Sequence, residues 1–467
     1  MSGSAQLSAV MTGSAQDPGS LVAKVDEFVL YESAWKALLR TEFEASSGEI
    51  DWRADGTMFM AGSSCISAVL NVRIVRVSEE DVAHCVWEEG QNLCPVKFKV
   101  GASVWCSRTH PCRDCWQQCG TIMKSGSRFM DILLYASSDA TELMSGCWRL
   151  DADYVTHGLD WTLDCLSSFV SRRSEPLQRL IVEDLSLAEA QELQKPTRAC
   201  TSSPSTLDHL AARHRLNASQ QCAIVESTKS TLLLVHGPPG TGNPQTIVAL
   251  LDLHGQPGKP ACCLANGNYA VDNACKRACK EKVKAVRTGN MKGAKIDAAL
   301  LPMTLERMAE EAEGAAVNDR AKKRRREWAR TYIRESASTV VSTCTTLCAN
   351  YLDGPTYGCM IVDEAVQATE PDTVAPLCRL TEGGMVVLVG DPLQLGCRCA
   401  SGCGDEAFLE MSLYERLADV FGIDKCLLDT QYRMHPSISA WPISEFYDSK
   451  LRNGESVSRL RAPRGFP

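Results

Sequence analysis

Five short apolar runs in the second half of the chain constrain its fold more than any other feature. TLLLVHG (231–237), ACCLA (261–265), TVVSTC (339–344), CMIVDEA (359–365) and MVVLVGD (385–391) are nearly continuous in apolar residues, and each closes on polar residues or glycine. A strand that is apolar on both of its alternating faces has to be covered on both sides. Runs of this kind, spaced widely enough for helices between them, predict an α/β domain with a parallel sheet from about residue 207 onward. In such sheets ligands bind beyond the carboxyl ends of the strands, which is where the unusual residues of this sequence fall.

Ahead of that domain the pattern differs. The first 20 residues are rich in Ser, Gly and Ala and are expected to form a disordered tail. Residues 25–44 carry apolar positions at helical spacing and predict one amphipathic helix. Between about 60 and 150, short runs such as SAVLNVRIVRV and FMDILLYA predict a small β-barrel or sandwich. Residues 160–170 and 176–194 look helical again, so 21–200 is expected to form an accessory unit of stalk helices and barrel, with ACTSSPST (199–206) as linker. A charged helical insertion is expected at about 275–336 within the second domain, 205–467.

The totals exclude several classes. No apolar stretch reaches the length of a membrane span, and the N-terminus lacks a secretory signal, so a cytoplasmic or nuclear protein without membrane association is expected. In those compartments the 23 cysteines are expected to be reduced thiols. A net charge of −8 argues against a broadly basic nucleic-acid binder and leaves room for a local basic channel.

The first run leads into Gly237-Pro238-Pro239-Gly240-Thr241-Gly242, then Asn243-Pro244-Gln245-Thr246. Glycines let successive backbone N–H groups turn inward as an anion nest, and the next helix presents its positive end to phosphates. A phosphate loop normally continues with Lys and then Ser or Thr. Asn243 supplies no ammonium for the β- and γ-phosphates, and Pro244 supplies neither the Mg²⁺-ligating hydroxyl nor an N–H. Thr246 keeps a hydroxyl nearby, but two residues along a helix it points about 200° away from position 244.

Three further stretches carry chemistry. Asp363 and Glu364 end an apolar strand, where one carboxylate can hold Mg²⁺ and its neighbour can act as general base toward water. Acidic residues also end strands simply by facing solvent, a reading that the upstream phosphate loop weakens. Gln394, beyond Gly390-Asp391, places a neutral amide where it can sense a γ-phosphate. Arg433 offers a guanidinium suited to a phosphoryl transition state.

LNASQ (216–220), GPPGTG (237–242), NYAVDN (268–273), STCTTL (342–347), VDEAVQ (362–367), GDPLQL (390–395), QYRMHP (431–436) and FYDSKL (446–451) occur in that order. Together they resemble the superfamily 1 helicases of the branch containing the nonsense-decay helicase, senataxin and the immunoglobulin mu-binding helicase, most of all the last. The resemblance implies a RecA-like P-loop NTPase domain preceded by a helical stalk and β-barrel, with ATP and Mg²⁺ as cofactors and single-stranded DNA or RNA as partner. It implies that Gln220 reads the adenine edge with Tyr432 stacked near it. It also implies that Asp363 coordinates Mg²⁺, that Glu364 activates water, and that Gln394 and Arg433 contact the γ-phosphate. Asn268 and Thr343 are implied to lie near the nucleic-acid backbone.

Two departures from that family stand out. Its loop reads GKT-x-T, here replaced by substitution without a gap. The chain also stops at Pro467, where the resemblance leads one to expect a second RecA-like domain with its arginine finger. Three readings therefore stay open: an ATP-dependent helicase completed by a second motor domain, a degenerate helicase that binds nucleic acid without turnover, and a scaffold.

Side features have bland alternatives. Cys106, His110, Cys112, Cys115 and Cys119 offer a tetrahedral zinc site, yet the outer spacings match no standard finger and a cysteine-rich barrel loop is preferred. Cys397, Cys399 and Cys403 lack an evident fourth ligand. The basic run 322–326 can contact phosphate or direct nuclear import, but its acidic preface LERMAEEAEG favours a solvated helix. Trp105 and Trp116 can stack on bases, although single tryptophans in a barrel more often fill its core.

Overall fold

Alternation of buried and outward residues along short strands closes a barrel in the first half of the chain. The computed structural model describes residues 26–46, 50–52, 58–60, 69–77, 82–86, 103–107, 117–126, 129–134, 144, 148–152, 157–196, 203–289, 298–314, 319–349, 355–397 and 410–459. The barrel strands are β1 (Val69–Val77), β2 (Val82–Val86), β3 (Ser103–Ser107), β4 (Gln117–Ser125), β5 (Phe129–Leu134) and β6 (Trp148–Ala152). They close in the order β1-β2-β5-β4-β3-β6, every pair antiparallel. Closure leaves no free strand edge. Every second residue fills the interior: Ala83 and Cys85 from β2, Met130 and Ile132 from β5, and Trp148 and Leu150 from β6. Cys106 is fully buried in this core. Trp105 belongs to β3, its side chain lies outside the described residues, and Trp148 lies in the core. The expected tail at 1–20 lies outside the described residues, as do Trp116, His110, Cys112 and Cys115.

The five apolar runs form the middle of a seven-stranded parallel sheet. Its strands are β7 (Leu232–His236), β8 (Ala261–Ala265), β9 (Ala285–Arg287), β10 (Thr339–Thr343), β11 (Tyr357–Asp363), β12 (Leu380–Gly390) and β13 (Lys425–Leu427), in the order β9-β10-β8-β11-β12-β7-β13. All six pairings are parallel. The alternate residues of one strand enter two separate cores. Leu232 and Leu234 join one and Leu233 and Val235 the other, as Cys262 and Leu264 do against Cys263 and Ala265. Burial pushes the thiols of Cys262 and Cys263 well above the ordinary cysteine range, so they pack as small apolar side chains.

Both edge strands are three residues long and carry no extended apolar run. One of them, β9, lies inside the span 275–336, between α6 (Asn268–Lys280) and the helix Asp319–Glu335. The helix expected at 25–44 is α1 (Glu27–Ser46), and α2 (His157–Val170) and α3 (Pro176–Val182) follow the barrel. The first part of α1, up to Arg40, groups with the sheet, as do residues 159–315 and 324–467. Phe28, Tyr31 and Trp35 pack with Leu166, Phe169, Leu180 and Ile181 in the core on one face of the sheet.

A buried ion pair fixes this packing. Arg416 donates through Nε and Nη2 to both carboxylate oxygens of Glu370 at 2.7 Å, and Nη2 also donates to the Ile181 carbonyl at 2.6 Å. The Tyr31 hydroxyl donates to Glu370 Oε1 at 2.6 Å. Among the described residues, no helix is long and apolar enough to cross a membrane.

Candidate nucleotide and strand site

Strand register brings the marked residues to one edge. Ala265 pairs with both Thr343 and Asp363, and Gly390 pairs with His236. The carboxyl ends of β7, β8, β10, β11 and β12 are therefore level, and the loops carrying the glycine run, Asn268, Thr343, Asp363 and Gln394 all start from that edge.

The glycine loop leaves β7 with the Gly237 amide donating to the Gly390 carbonyl at 3.0 Å. Gly240 and Gly242 have φ of +82° and +90°, a left-handed backbone that side chains disfavour. Contacts also bar a Cβ there: at Gly240 it would stand 2.6 Å from Arg433 Cβ, and at Gly242 it would meet Gln220 Nε2. The loop is thus held open against Gln220 and Arg433, and α5 (Asn243–His254) starts directly after it.

Asn243 turns back into its own loop. Its Nδ2 donates to the Gly237 carbonyl at 2.8 Å, and its Oδ1 accepts from the Thr241 hydroxyl at 3.3 Å. A Cβ at Gly237 would fall on this amide, so the side chain is packed against the start of the loop. Pro244 sits in the first turn of α5, where the absent N–H breaks no helical bond. Thr246 is fully buried and its hydroxyl faces the Gly242 carbonyl at 3.3 Å, so it does not reach the cleft.

Gln220 is buried beside the loop in α4 (Ala218–Ser227). Its Oε1 accepts from the Asn217 amide at 3.0 Å and its Nε2 donates to the Thr241 carbonyl at 3.1 Å, which leaves one amide hydrogen for a ligand. The Tyr432 amide donates to the Gly240 carbonyl at 2.8 Å, and its hydroxyl accepts from Asn217 Nδ2 at 3.0 Å. The half-exposed ring of Tyr432 lies over Gly454 and lines a cavity of about 610 Å³ with Thr430, Arg452, Asn453 and Arg459.

Glu364 takes a left-handed backbone, φ +54°, which a residue with a side chain adopts only when its surroundings enforce it. Its amide donates to Asp363 Oδ1 at 3.0 Å. Burial and the neighbouring Glu364 charge push the Asp363 carboxyl up to about 7, against that hydrogen bond. Burial also raises Glu364, aided by the Asp391 charge and opposed by Arg433. The Arg433 guanidinium is exposed and makes no ion pair among the described residues.

Asp391 is the hub of this edge, a role the sequence does not announce. Its Oδ1 accepts from His236 Nε2 at 2.9 Å and the Leu393 amide at 3.1 Å. Its Oδ2 accepts from Gln394 Nε2 and the Tyr447 hydroxyl, both at 2.7 Å. Burial alone would raise this carboxyl, but the four donors outweigh it and hold it below its ordinary value of 3.8. Gln394 thus stands in the site with its amide oriented by Asp391. His236 and Tyr447 are 155 and 56 residues from Asp391, so only the shared strand edge reveals the set.

A depressed carboxylate pKa contributes stability that is present above the unfolded value and lost as pH falls through the folded one. Tyr447→Phe is expected to cost roughly 1–2 kcal/mol at pH 7. The cost should shrink as pH falls from 3.8 through the lower folded value, where the carboxyl takes up its proton. Urea midpoints of both chains at pH 7 and at about pH 3 check this; a difference independent of pH would show that Asp391 is not the partner that matters.

On the other side of β11 lie the two residues expected near a nucleic-acid strand, Asn268 and Thr343. The exposed Asn268 accepts through Oδ1 from Arg287 Nη2 at 2.8 Å, and Arg287, itself fully buried, pairs with Asp272 at 2.7 Å. Thr343 is nearly buried and caps the short helix Cys344–Cys348, its hydroxyl accepting from the Thr346 amide at 3.2 Å. Among the described residues no group of three or more His, Cys, Asp or Glu side chains could hold a metal ion. His110, Cys112, Cys115, Cys399 and Cys403 are outside that set, as is the side chain of Cys119.

Residues 215–326 and 311–401 match an AAA domain family, and residues 409–465 match a second AAA domain family. Over 277 residues the chain is 30% identical to a regulator of nonsense transcripts 1 homolog of Drosophila melanogaster, an alignment covering 54% of this chain and 23% of that one. Over 279 residues it is 31% identical to the DNA polymerase alpha-associated DNA helicase A of Schizosaccharomyces pombe, covering 52% and 41%. The Arterivirus nonstructural protein 10 helicase solved with DNA is similar at a TM-score of 0.30 and 14% identity, over 50% of this chain and 43% of that one, too distant to inform the site. The alignments thus span well under half the length of these curated relatives.

Proposed function

This chain belongs to the superfamily 1 helicase and AAA-ATPase family of the nonsense-transcript regulators, and we propose from that premise that it binds nucleotide and a single nucleic-acid strand while turning over ATP only weakly. The observation that carries the reading is Asn243: an amide hydrogen-bonded back to Gly237 and Thr241 of its own loop stands where the family supplies a lysine ammonium.

The backbone nest of Gly237 to Gly242 fits a triphosphate, since its two left-handed glycines are held by contacts independent of any ligand. The raised Asp363 carboxyl fits a divalent cation, whose charge would favour the ionised form. Mg²⁺ held there would neutralise charge on the phosphates. Glu364 is the base toward water, and Gln394 and Arg433 face the terminal phosphate. Gln220, with its one free amide hydrogen, and the Tyr432 ring beside the Gly454 cavity receive the nucleotide base. Asn268 and Thr343 lie along the strand. The closed barrel after a stalk helix supports a place near the immunoglobulin mu-binding type.

A second reading is supported by Glu364, Gln394 and Arg433, all present at one edge. In it the chain moves along single-stranded DNA or RNA with a second RecA-like domain completing the cleft. Turnover decides between them. Removing a cationic phosphate ligand costs on the order of 10³ in rate, so ATP hydrolysis with a saturating strand is expected below about 0.01 s⁻¹, against a typical 10 s⁻¹. Fluorescent ATP analogue and labelled oligonucleotide are both expected to bind. Hydrolysis near 10 s⁻¹ would establish the second reading, and failure to bind either ligand would leave neither.

A further inference from the structure

Tyr269 is the most exposed of the large apolar side chains among the described residues, at 81%. It stands in the first turn of α6, directly after the carboxyl end of β8 and next to Asn268. A tyrosine this exposed buries little area in the fold, so packing does not explain it.

Its neighbour is oriented. A guanidinium can only donate, so the Asn268 atom facing Arg287 Nη2 is the carbonyl oxygen, and the amide N–H₂ is directed elsewhere from an exposed residue. Arg287 is held in turn by Asp272 and the Thr288 carbonyl. Asn268 therefore presents a fixed donor beside a bare aromatic ring.

The exposed face of α6 continues the pattern. Tyr269, Asn273, Lys276 and Lys280 fall at i, i+4, i+7 and i+11 and all four are exposed. At 1.5 Å per residue the row runs about 16 Å. Residues 268–287 hold six basic and two acidic side chains in a chain whose net charge is −8, so positive charge is concentrated here. An aromatic platform, an oriented donor and a short row of ammonium groups match one chemistry, a single-stranded nucleic acid with a base stacked on the ring and phosphates along the helix.

We propose that Tyr269 is a stacking platform for one unpaired base of a bound strand, with the Asn268 amide and Lys276 and Lys280 holding the adjoining backbone. This rests on the strand binding proposed above and adds where a base is gripped. Stacking is indifferent to sequence, because every base has a π-face.

The test uses the full chain and labelled 20-nucleotide strands of deoxythymidine and of uridine, each beside an abasic strand of equal length. Tyr269→Ala is expected to weaken binding to the base-bearing strands by about 5- to 150-fold and to leave abasic binding unchanged. Tyr269→Phe retains the platform and the affinity. Lys276→Ala with Lys280→Ala weakens base-bearing and abasic strands alike and lowers the salt slope by about 1.4. A loss with deoxythymidine alone or uridine alone identifies which nucleic acid is stacked. Tyr269→Ala within twofold of the unmodified chain on both base-bearing strands overturns the platform while leaving strand binding intact. No binding by the unmodified chain overturns strand binding and the platform together. Equal losses on base-bearing and abasic strands also overturn it, since they would make Tyr269 a backbone contact. An unchanged melting temperature of Tyr269→Ala checks that the exposed substitution leaves the fold intact.

Discussion

Asn243→Lys combined with Pro244→Thr is expected to raise strand-dependent ATP hydrolysis by roughly 10²–10³-fold. Asn243 now donates inward to the Gly237 carbonyl, so the phosphates meet an amide dipole rather than a full charge. Lysine is longer and carries an ammonium that reaches past the loop to the β- and γ-phosphates. Threonine at 244 restores a backbone N–H and a hydroxyl for Mg²⁺, which the buried Thr246 does not supply. The nest itself needs no repair, because Gly240 and Gly242 already hold their left-handed conformations. Steady-state phosphate release with and without an oligonucleotide reads the effect. The single variants should each give much less than the pair, since cation and metal act on the same phosphates. No gain in the double variant would show that these two substitutions do not limit turnover.

The largest stability effect is expected far from the cleft. Glu370→Ala removes the carboxylate partner of Arg416, a guanidinium only 3% exposed, and leaves it with uncharged acceptors alone. Breaking a buried pair by one member costs about 3–5 kcal/mol, because the remaining charge has no water to return to. Tyr31 loses its acceptor in the same variant, so the start of α1 is loosened from the sheet as well. Glu370→Leu with Arg416→Met should recover most of the loss, as apolar replacements of a whole buried pair are often near neutral. Denaturant midpoints of the three chains test this, and a single variant as stable as the double would show that the charge reaches water.

The parts of the fold legible in the sequence are those where burial imposes a pattern. Strands covered on both faces must be apolar throughout, so β7, β8, β10, β11 and β12 were readable as runs. The two edge strands were not, since β9 and β13 contribute three residues each and need no such run. The barrel was legible as short runs that fit a barrel or a sandwich; its closure was not. At the site, motif order located Asp363, Glu364, Gln394 and Arg433, but the partners of Asp391 depend on register across the sheet. Position in sequence also gave no hint that Asn243 folds inward or that Arg287 fixes the amide of Asn268.

The cysteines packed on both faces of the sheet have a consequence for handling the protein. Cys262, Cys263, Cys275, Cys344 and Cys359 are each nearly or fully buried, and burial raises the thiols of the first four well out of the reactive range. While the fold is intact they are chemically silent, whereas the exposed Cys222 is open to reagents. Opening the sheet releases several thiols at once at their ordinary acidity, free to cross-link with one another or between chains. In air, unfolding then becomes a one-way step, and melting temperatures will drift with heating rate unless a reductant is present.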